Sequence, residues 1–125
     1  MSQLREIYKC EACGNIVEIV HAGKGELQCC GQAMKQLKEN SVDAALEKHV
    51  PVLSLNGTTA TVTVGSVAHP MDPDHYIEFI ELLTAARVYG AELSPGKAPE
   101  ASFDVHGEVI GARAYCNKHG LWKNQ

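Results

Sequence analysis

Two groups of side chains in this chain have spacings suited to holding a metal ion. The first is Cys10-Glu-Ala-Cys13 followed by the adjacent pair Cys29-Cys30. The second is scattered over the remainder: Glu47-Lys48-His49, His69-Pro70, His75 and Cys116-Asn-Lys-His119. Four thiolates suit zinc or mononuclear iron in a closed tetrahedron. Four imidazoles with one thiolate are a different offer. Five such ligands suit redox-active iron and leave one coordination position over, so the chemistry is expected at the second group.

Each residue of that second group has an ordinary reading when taken alone. A single histidine near a strand end is commonly a surface or hydrogen-bonded residue. Cys116 would pack as a small hydrophobe, and Glu47-Lys48 would be a solvated charge pair. The joint pattern carries the argument. Pro70 and Pro73 restrict the loop bearing His69 and His75, which suits a site of fixed geometry. His21 and His106 fall outside the set and are taken as ordinary histidines. In the first group the competing reading is a vicinal disulfide between Cys29 and Cys30, which is uncommon and strained. Two adjacent cysteines on one ion share a short backbone link, so the angles at that ion should depart from tetrahedral.

The elements that must position these ligands are mostly strands. Ile7 to Ile19 reads as strand, tight turn carrying Cys10 and Cys13, and strand, with Gly14 supplying a positive φ. A polar stretch from about residue 35 to 45 reads as a linker. Val50–Leu55 and Thr59–Val64 flank Asn56-Gly57, a hairpin signal. Val88–Leu93, the alternating Ala101, Phe103 and Val105, and Val109–Tyr115 read as further strands. His75–Leu83 fits either a strand or a helix. Six or seven short strands separated by turns point to a β-sandwich, which can gather loops from distant sequence at one end.

Size and composition bound the rest. The chain has 125 residues and is 45% hydrophobic, enough for one modest core with a small satellite unit. A cysteine-rich segment of roughly 35 residues needs a staple to fold, here a metal. The start lacks an apolar signal segment and no apolar run is long enough to span a membrane. A cytoplasmic location is therefore expected, where clustered cysteines stay reduced and favour metal over disulfides. A formal charge of −4 without any Lys/Arg cluster argues against nucleic acid and against anionic membranes as partners.

Longer matches then point to one family. Glu47-Lys48-His49-Val-Pro-Val, Val64-Gly-Ser-Val-Ala-His69-Pro-Met, His75-Tyr-Ile and Tyr115-Cys116-Asn-Lys-His119-Gly-Leu-Trp122-Lys resemble desulfoferrodoxin, the two-iron class of superoxide reductase. Tyr8-Lys-Cys10-x-x-Cys13-Gly-Asn-Ile-Val-Glu and Cys29-Cys30-Gly31 resemble its desulforedoxin-like domain. The resemblance implies a mainly β chain, with a small rubredoxin/desulforedoxin-like domain over 1–37 and an immunoglobulin-like β-sandwich over 38–125. It implies two iron ions per chain. Cys10, Cys13, Cys29 and Cys30 would hold the rubredoxin-like ferric centre; His49, His69, His75 and His119 would form the equatorial plane of the second iron, with Cys116 axial.

The activity implied is one-electron reduction of superoxide to hydrogen peroxide, for superoxide detoxification. Lys48 would attract the anion and orient water, and Glu47 would be a resting-state ligand of the oxidised site. A small electron donor such as rubredoxin and a homodimer are implied as partners. Three alternatives remain open: a non-catalytic iron electron-transfer protein, a zinc-ribbon module with an adaptor β domain, and a superoxide dismutase. A saturated second site, zinc alone, or oxygen evolution would respectively support them.

Overall fold

The computed structural model describes residues 2–40 and 46–124, the side chains of Leu46 and Glu47 excepted. Its described regular secondary structure is almost all strand, and the chain divides into two compact units, Met1–Lys38 and Glu39–Gln125.

The first unit is built from very short strands. β1 (Ile7–Lys9) pairs antiparallel with β2 (Ile16–Glu18) on one side and β5 (Lys35–Gln36) on the other. Between them β3 (Gln28–Cys29) and β4 (Gln32–Ala33) form a separate hairpin. Among the described residues only Ile7, Ile19 and Cys10 are buried apolar residues there, a core too small to hold such a unit without a staple. A polar clip adds to it: Glu6 accepts hydrogen bonds from the Gln3 N–H (2.7 Å), the Tyr8 hydroxyl (2.9 Å) and the Gln36 amide (2.9 Å). Those donors hold the Glu6 carboxyl below its usual pKa, the Gln3 N–H most of all.

Among the described residues the second unit contains a short helix, α1 (Leu46–His49), and seven strands. One sheet has the order β10 (Glu100–Asp104), β7 (Thr59–Val64), β6 (Pro51–Asn56). The other has the order β12 (Gly120–Lys123), β11 (Val109–Cys116), β8 (Ile77–Thr84), β9 (Val88–Glu92). This three-plus-four arrangement is an immunoglobulin-like sandwich. Alternate residues of the facing strands fill it: Ala60, Val62 and Val64 from β7, Ile80 and Leu82 from β8, and Ala112, Ala114 and Cys116 from β11.

Three sequence expectations change on meeting this structure. The stretch from His75 resolves as strand β8, because its residues pair with β9 and β11 on both sides. Sheet pairing of that kind outweighs an ambiguous local pattern. The expected linker shrinks. Lys35 and Gln36 belong to the first sheet, while Asn40 bridges to Trp122 through Asn40 N–H to Leu121 C=O (2.8 Å) and Lys123 N–H to Asn40 C=O (3.0 Å). Residues 41–45 lie outside the described part. The Asn56-Gly57 hairpin forms one residue later than the pair suggests: Asn56 faces Thr59, so Gly57 and Thr58 make the turn. Gly57, with φ +63°, takes its first central position, as in a type II′ turn.

Candidate metal centres

In the first unit the cysteines sit on two turns that face each other. The Cys10–Asn15 turn is closed by Cys10 N–H to Asn15 C=O (2.8 Å) and Gly14 N–H to Cys10 C=O (2.9 Å), with Gly14 at φ +86°. It aims the Cys13 N–H at the Cys10 sulfur, 3.4 Å away. On the other side Cys29 ends β3 and pairs with Gln32, leaving Cys30 and Gly31 as the hairpin turn. Both have positive φ, +55° and +74°, the signature of a type I′ turn. A non-glycine residue in that region costs about 1 kcal/mol. The cost explains how two neighbours reach one point: Cys29 projects from a strand and Cys30 from a left-handed turn.

The sulfurs of Cys10, Cys13, Cys29 and Cys30 all lie within 4.8 Å of one another. Cys13 Sγ is 3.6 Å from Cys29 Sγ, which is 3.9 Å from Cys30 Sγ. A tetrahedral ion with bonds of about 2.3 Å has sulfur–sulfur edges near 3.8 Å, between those values. No disulfide links Cys29 and Cys30, so the vicinal-disulfide reading falls. Crowding shows in the thiols' acidity. The Cys13 N–H brings Cys10 down to about 7, whereas hydrogen bonds to Cys13 and Cys10 push Cys29 up to about 12 and contact with Cys13 raises Cys30. Four sulfurs competing for protons this way are resolved by a cation that displaces them all.

The second site lies at one end of the sandwich, and the ladder pairing explains why. Pro51 pairs with Val64, so the start of β6 and the end of β7 share that end. Ile77 pairs with Cys116 and Cys116 with Gly120, so the start of β8, the end of β11 and the start of β12 do the same. His49 closes α1 just before Pro51, which cannot continue a helix. His69 follows β7, turned back by its N–H to the Val64 carbonyl (2.9 Å). His75 precedes β8 after a tight turn closed in both directions between Asp72 and His75 (3.0 and 3.1 Å). Cys116 ends β11 inside the hydrophobic core, and His119 lies in the three-residue turn that leads to Gly120.

These five side chains converge. Their ligand atoms all lie within 4.8 Å of one another. His49 meets His69, His69 meets His75, His75 meets His119 and His119 meets His49, at ring-centre separations of 4.9, 4.9, 5.0 and 4.7 Å. The cycle closes with neighbouring rings tilted by 68° to 80°. His49 Nε2 is 3.1 Å from His119 Nδ1, and the Cys116 sulfur is 3.7 Å from that same nitrogen. Adjacent nitrogens around an ion bound at about 2.1 Å stand near 3.0 Å apart.

The decisive sign of a missing partner is elsewhere. His69 Nε2 and His75 Nε2 are buried without a hydrogen-bond partner. Buried polar atoms are nearly always satisfied, so two orphaned imidazole nitrogens pointing into a ring of ligands fit a cation. Burial holds His69 at about 4 and lowers His75 as well, keeping both rings neutral and able to donate a lone pair. The His69 Nδ1–H donates to the Pro70 carbonyl (2.7 Å), which leaves Nε2 as the ligand atom. Burial raises the Cys116 thiol, a bias that a bound cation overcomes.

The chain matches the desulfoferrodoxin family over residues 41–125 and the desulfoferrodoxin N-terminal domain over residues 2–37. It belongs to the desulfoferrodoxin family. A desulfoferrodoxin of Nitratidesulfovibrio vulgaris is 55% identical over 118 residues, covering 94% of both chains. A desulfoferrodoxin homologue of Archaeoglobus fulgidus is 51% identical over 124 residues, covering 99% of both. Among solved structures, the superoxide reductase of Treponema pallidum superposes with a TM-score of 0.82 at 31% identity, covering 96% of this chain and 97% of that one. The sulfur and imidazole clusters fit the two irons of desulfoferrodoxins, one at each group.

Of the other residues singled out, Lys48 is exposed on α1, next to His49. Glu47 lies on α1 with its side chain outside the described part. His21 and His106 are exposed and belong to neither cluster. Two residues that the spacing argument passed over help to build the second site. Trp122 stacks on His49 (4.7 Å, 21°) and donates its Nε1–H to the His119 carbonyl (3.0 Å), bracing two ligands at once. Asn117, between Cys116 and His119, bonds to the backbone on either side of His75. Asparagine in a turn commonly bonds nearby backbone in this way, the signal that could have marked it.

Proposed function

We propose that this desulfoferrodoxin is a superoxide reductase, an oxidoreductase that detoxifies superoxide at the His49, His69, His75, His119 and Cys116 site. One observation carries the reading: four imidazoles and a buried thiol converge at the end of the sandwich, with the ligand nitrogens of His69 and His75 left without partners. Iron held by those five residues would supply the single electron that, with two protons, turns superoxide into hydrogen peroxide.

The chain's own residues account for the rest. Imidazoles ligate a metal as uncharged groups, so Cys116 would bring the only negative charge among these ligands, and a ferrous site would keep net positive charge that attracts an anion. Lys48 adds a second positive charge beside His49, steers superoxide inward and orders the water that delivers protons. Glu47 is assigned, from its sequence position alone, as a resting-state ligand that the reduction does not require. Cys116 approaches from the core side, which leaves the solvent side for substrate.

Cys10, Cys13, Cys29 and Cys30 hold the other iron, which staples a domain of residues 1–37; residues 38–125 form the reductase domain. A rubredoxin-like donor returns the spent electron, and the chain works as a homodimer in the cytoplasm. Five free thiols suit a reducing compartment. Among the described residues no helix is long and apolar enough to cross a membrane. The test is stoichiometric. Reduced protein mixed with superoxide should yield one peroxide per superoxide consumed and no oxygen; oxygen release in step with peroxide would make it a dismutase and overturn the assignment.

A further inference from the structure

The second site is assembled from loops that do not touch in sequence, so something must hold their spacing. His69 is steadied by its own neighbour, the Pro70 carbonyl, and His49 and His119 are braced through Trp122. The His75 ring touches the rings of His69 and His119, and among the described residues its buried Nε2 has no hydrogen-bond partner. Its placement is instead set through the backbone. The Asn117 side-chain oxygen accepts the Tyr76 N–H (3.0 Å), and its amide donates to the Asp74 carbonyl (3.1 Å). The Asn117 N–H itself donates to the Tyr76 carbonyl (3.2 Å). One residue thus grips the chain immediately before and after His75, and it is covalently tied to the turn that carries Cys116 and His119.

We propose that Asn117 is a positioning residue that locks the His75 loop to the Cys116–His119 turn and so sets the ligand geometry, and the tenacity, of the second metal site. The proposal rests on the metal-site reading above. Chemistry supports the amide specifically. Asn117 uses an acceptor towards Tyr76 and a donor towards Asp74 at once, which only an uncharged amide of that length can do. A carboxylate keeps the first bond and sets its second oxygen against a carbonyl; alanine loses both. Partners of this kind, removed from around metal ligands, commonly cost about 10–100-fold in metal affinity.

The test compares Asn117→Ala, Asn117→Asp and a control, Asn124→Ala. Asn124 makes the same kind of bond, its side-chain oxygen accepting the Ala112 N–H (2.9 Å), but it does so just past the end of β12 and touches no segment that carries a ligand histidine. Full-length protein loaded with iron is challenged with a ferrous chelator, and the thiolate-to-iron absorption band and reduction potential of the second site are recorded. Expected is iron release faster by about 10–100-fold in Asn117→Ala, with a shifted band and potential, a smaller change in Asn117→Asp, and wild-type values in Asn124→Ala. If Asn117→Ala does not fold, the Asn117→Asp result stands alone as the measure. Wild-type retention, band and potential in the Asn117 variants would overturn the proposal, as would an equal change in all three proteins. Wild-type protein that holds no iron at the histidines would overturn the reading beneath it as well, and that outcome is visible before any variant is made.

Discussion

The two ligand clusters of this chain solve the same problem by opposite means. The four-cysteine cluster is local: two turns within the first unit, each closed by its own hydrogen bonds, present sulfurs that are largely exposed at Cys13 and Cys30. The histidine cluster is assembled from ligands between residues 49 and 119, brought together because five strand ends meet at one edge of a sandwich. Its members His49, His69 and Cys116 are buried. The first cluster lies in a unit with few buried apolar residues, and its proposed role is to staple that unit when it binds metal. The second inherits its geometry from a core that exists without it. That difference teaches where chemistry can be placed: a site that must keep one face free needs a frame that does not depend on the ion.

The sharpest way to break the comparison is to remove one sulfur from each site. Cys116→Ser should abolish superoxide reduction and the thiolate-to-iron band of the second site, while the absorption of the four-cysteine centre and the thermal transition of the second unit change little. Cys13→Ser should do the reverse, unfolding the first unit and leaving fast oxidation of the second site by superoxide. Retained reduction in the first variant would remove Cys116 from the site; lost reduction in the second would mean that the clusters are not separable. Next in size is Lys48→Ile. Stopped reaction with a superoxide pulse should show the second-order rate falling by roughly tenfold or more, with a flatter dependence on salt. An unaltered rate would leave anion steering to the metal's own charge.

A smaller effect follows from acid. Burial keeps His69 at about 4 and lowers His75, whereas the unfolded chain binds protons at ordinary imidazole pKa values near 6.5. The unfolded state therefore binds more protons below about pH 6.5, and stability of the metal-stripped second unit declines as pH falls towards about 4. Urea midpoints should be lower at about pH 5 than at about pH 7.5, where neither state carries the extra proton. A midpoint that rises on acidification would contradict the buried, neutral state of these rings. Smallest of all is Gly14→Ala. No atom obstructs a methyl group there, so only the strain of φ +86° acts, worth about 1 kcal/mol in the first unit and nothing in the second. Loss of iron from the histidine site in that variant would blur the division between the two.

Much of this was legible in the residues. Cys10-x-x-Cys13 with Cys29-Cys30 announces its cluster because the ligand spacing and the turn are one local object. The hairpin around Asn56-Gly57, the alternating strands from Thr59 onward and the membership of the histidine set were also readable, since period-two burial and metal-ligand chemistry leave marks on residue type. Other features were not. His75–Leu83 became strand through partners on both sides, and Lys35–Gln36 left the expected linker because β1 had an open edge to fill. The order of the four imidazoles around their ring, the orphaned nitrogens of His69 and His75, and the grip of Asn117 on the His75 loop arise between segments far apart in the chain, with 70 positions between His49 and His119 and 41 between Tyr76 and Asn117. Residue identity records which groups can bind an ion; the distances among them come from strand register, which is a property of the folded sheets and is written in no single stretch of chain.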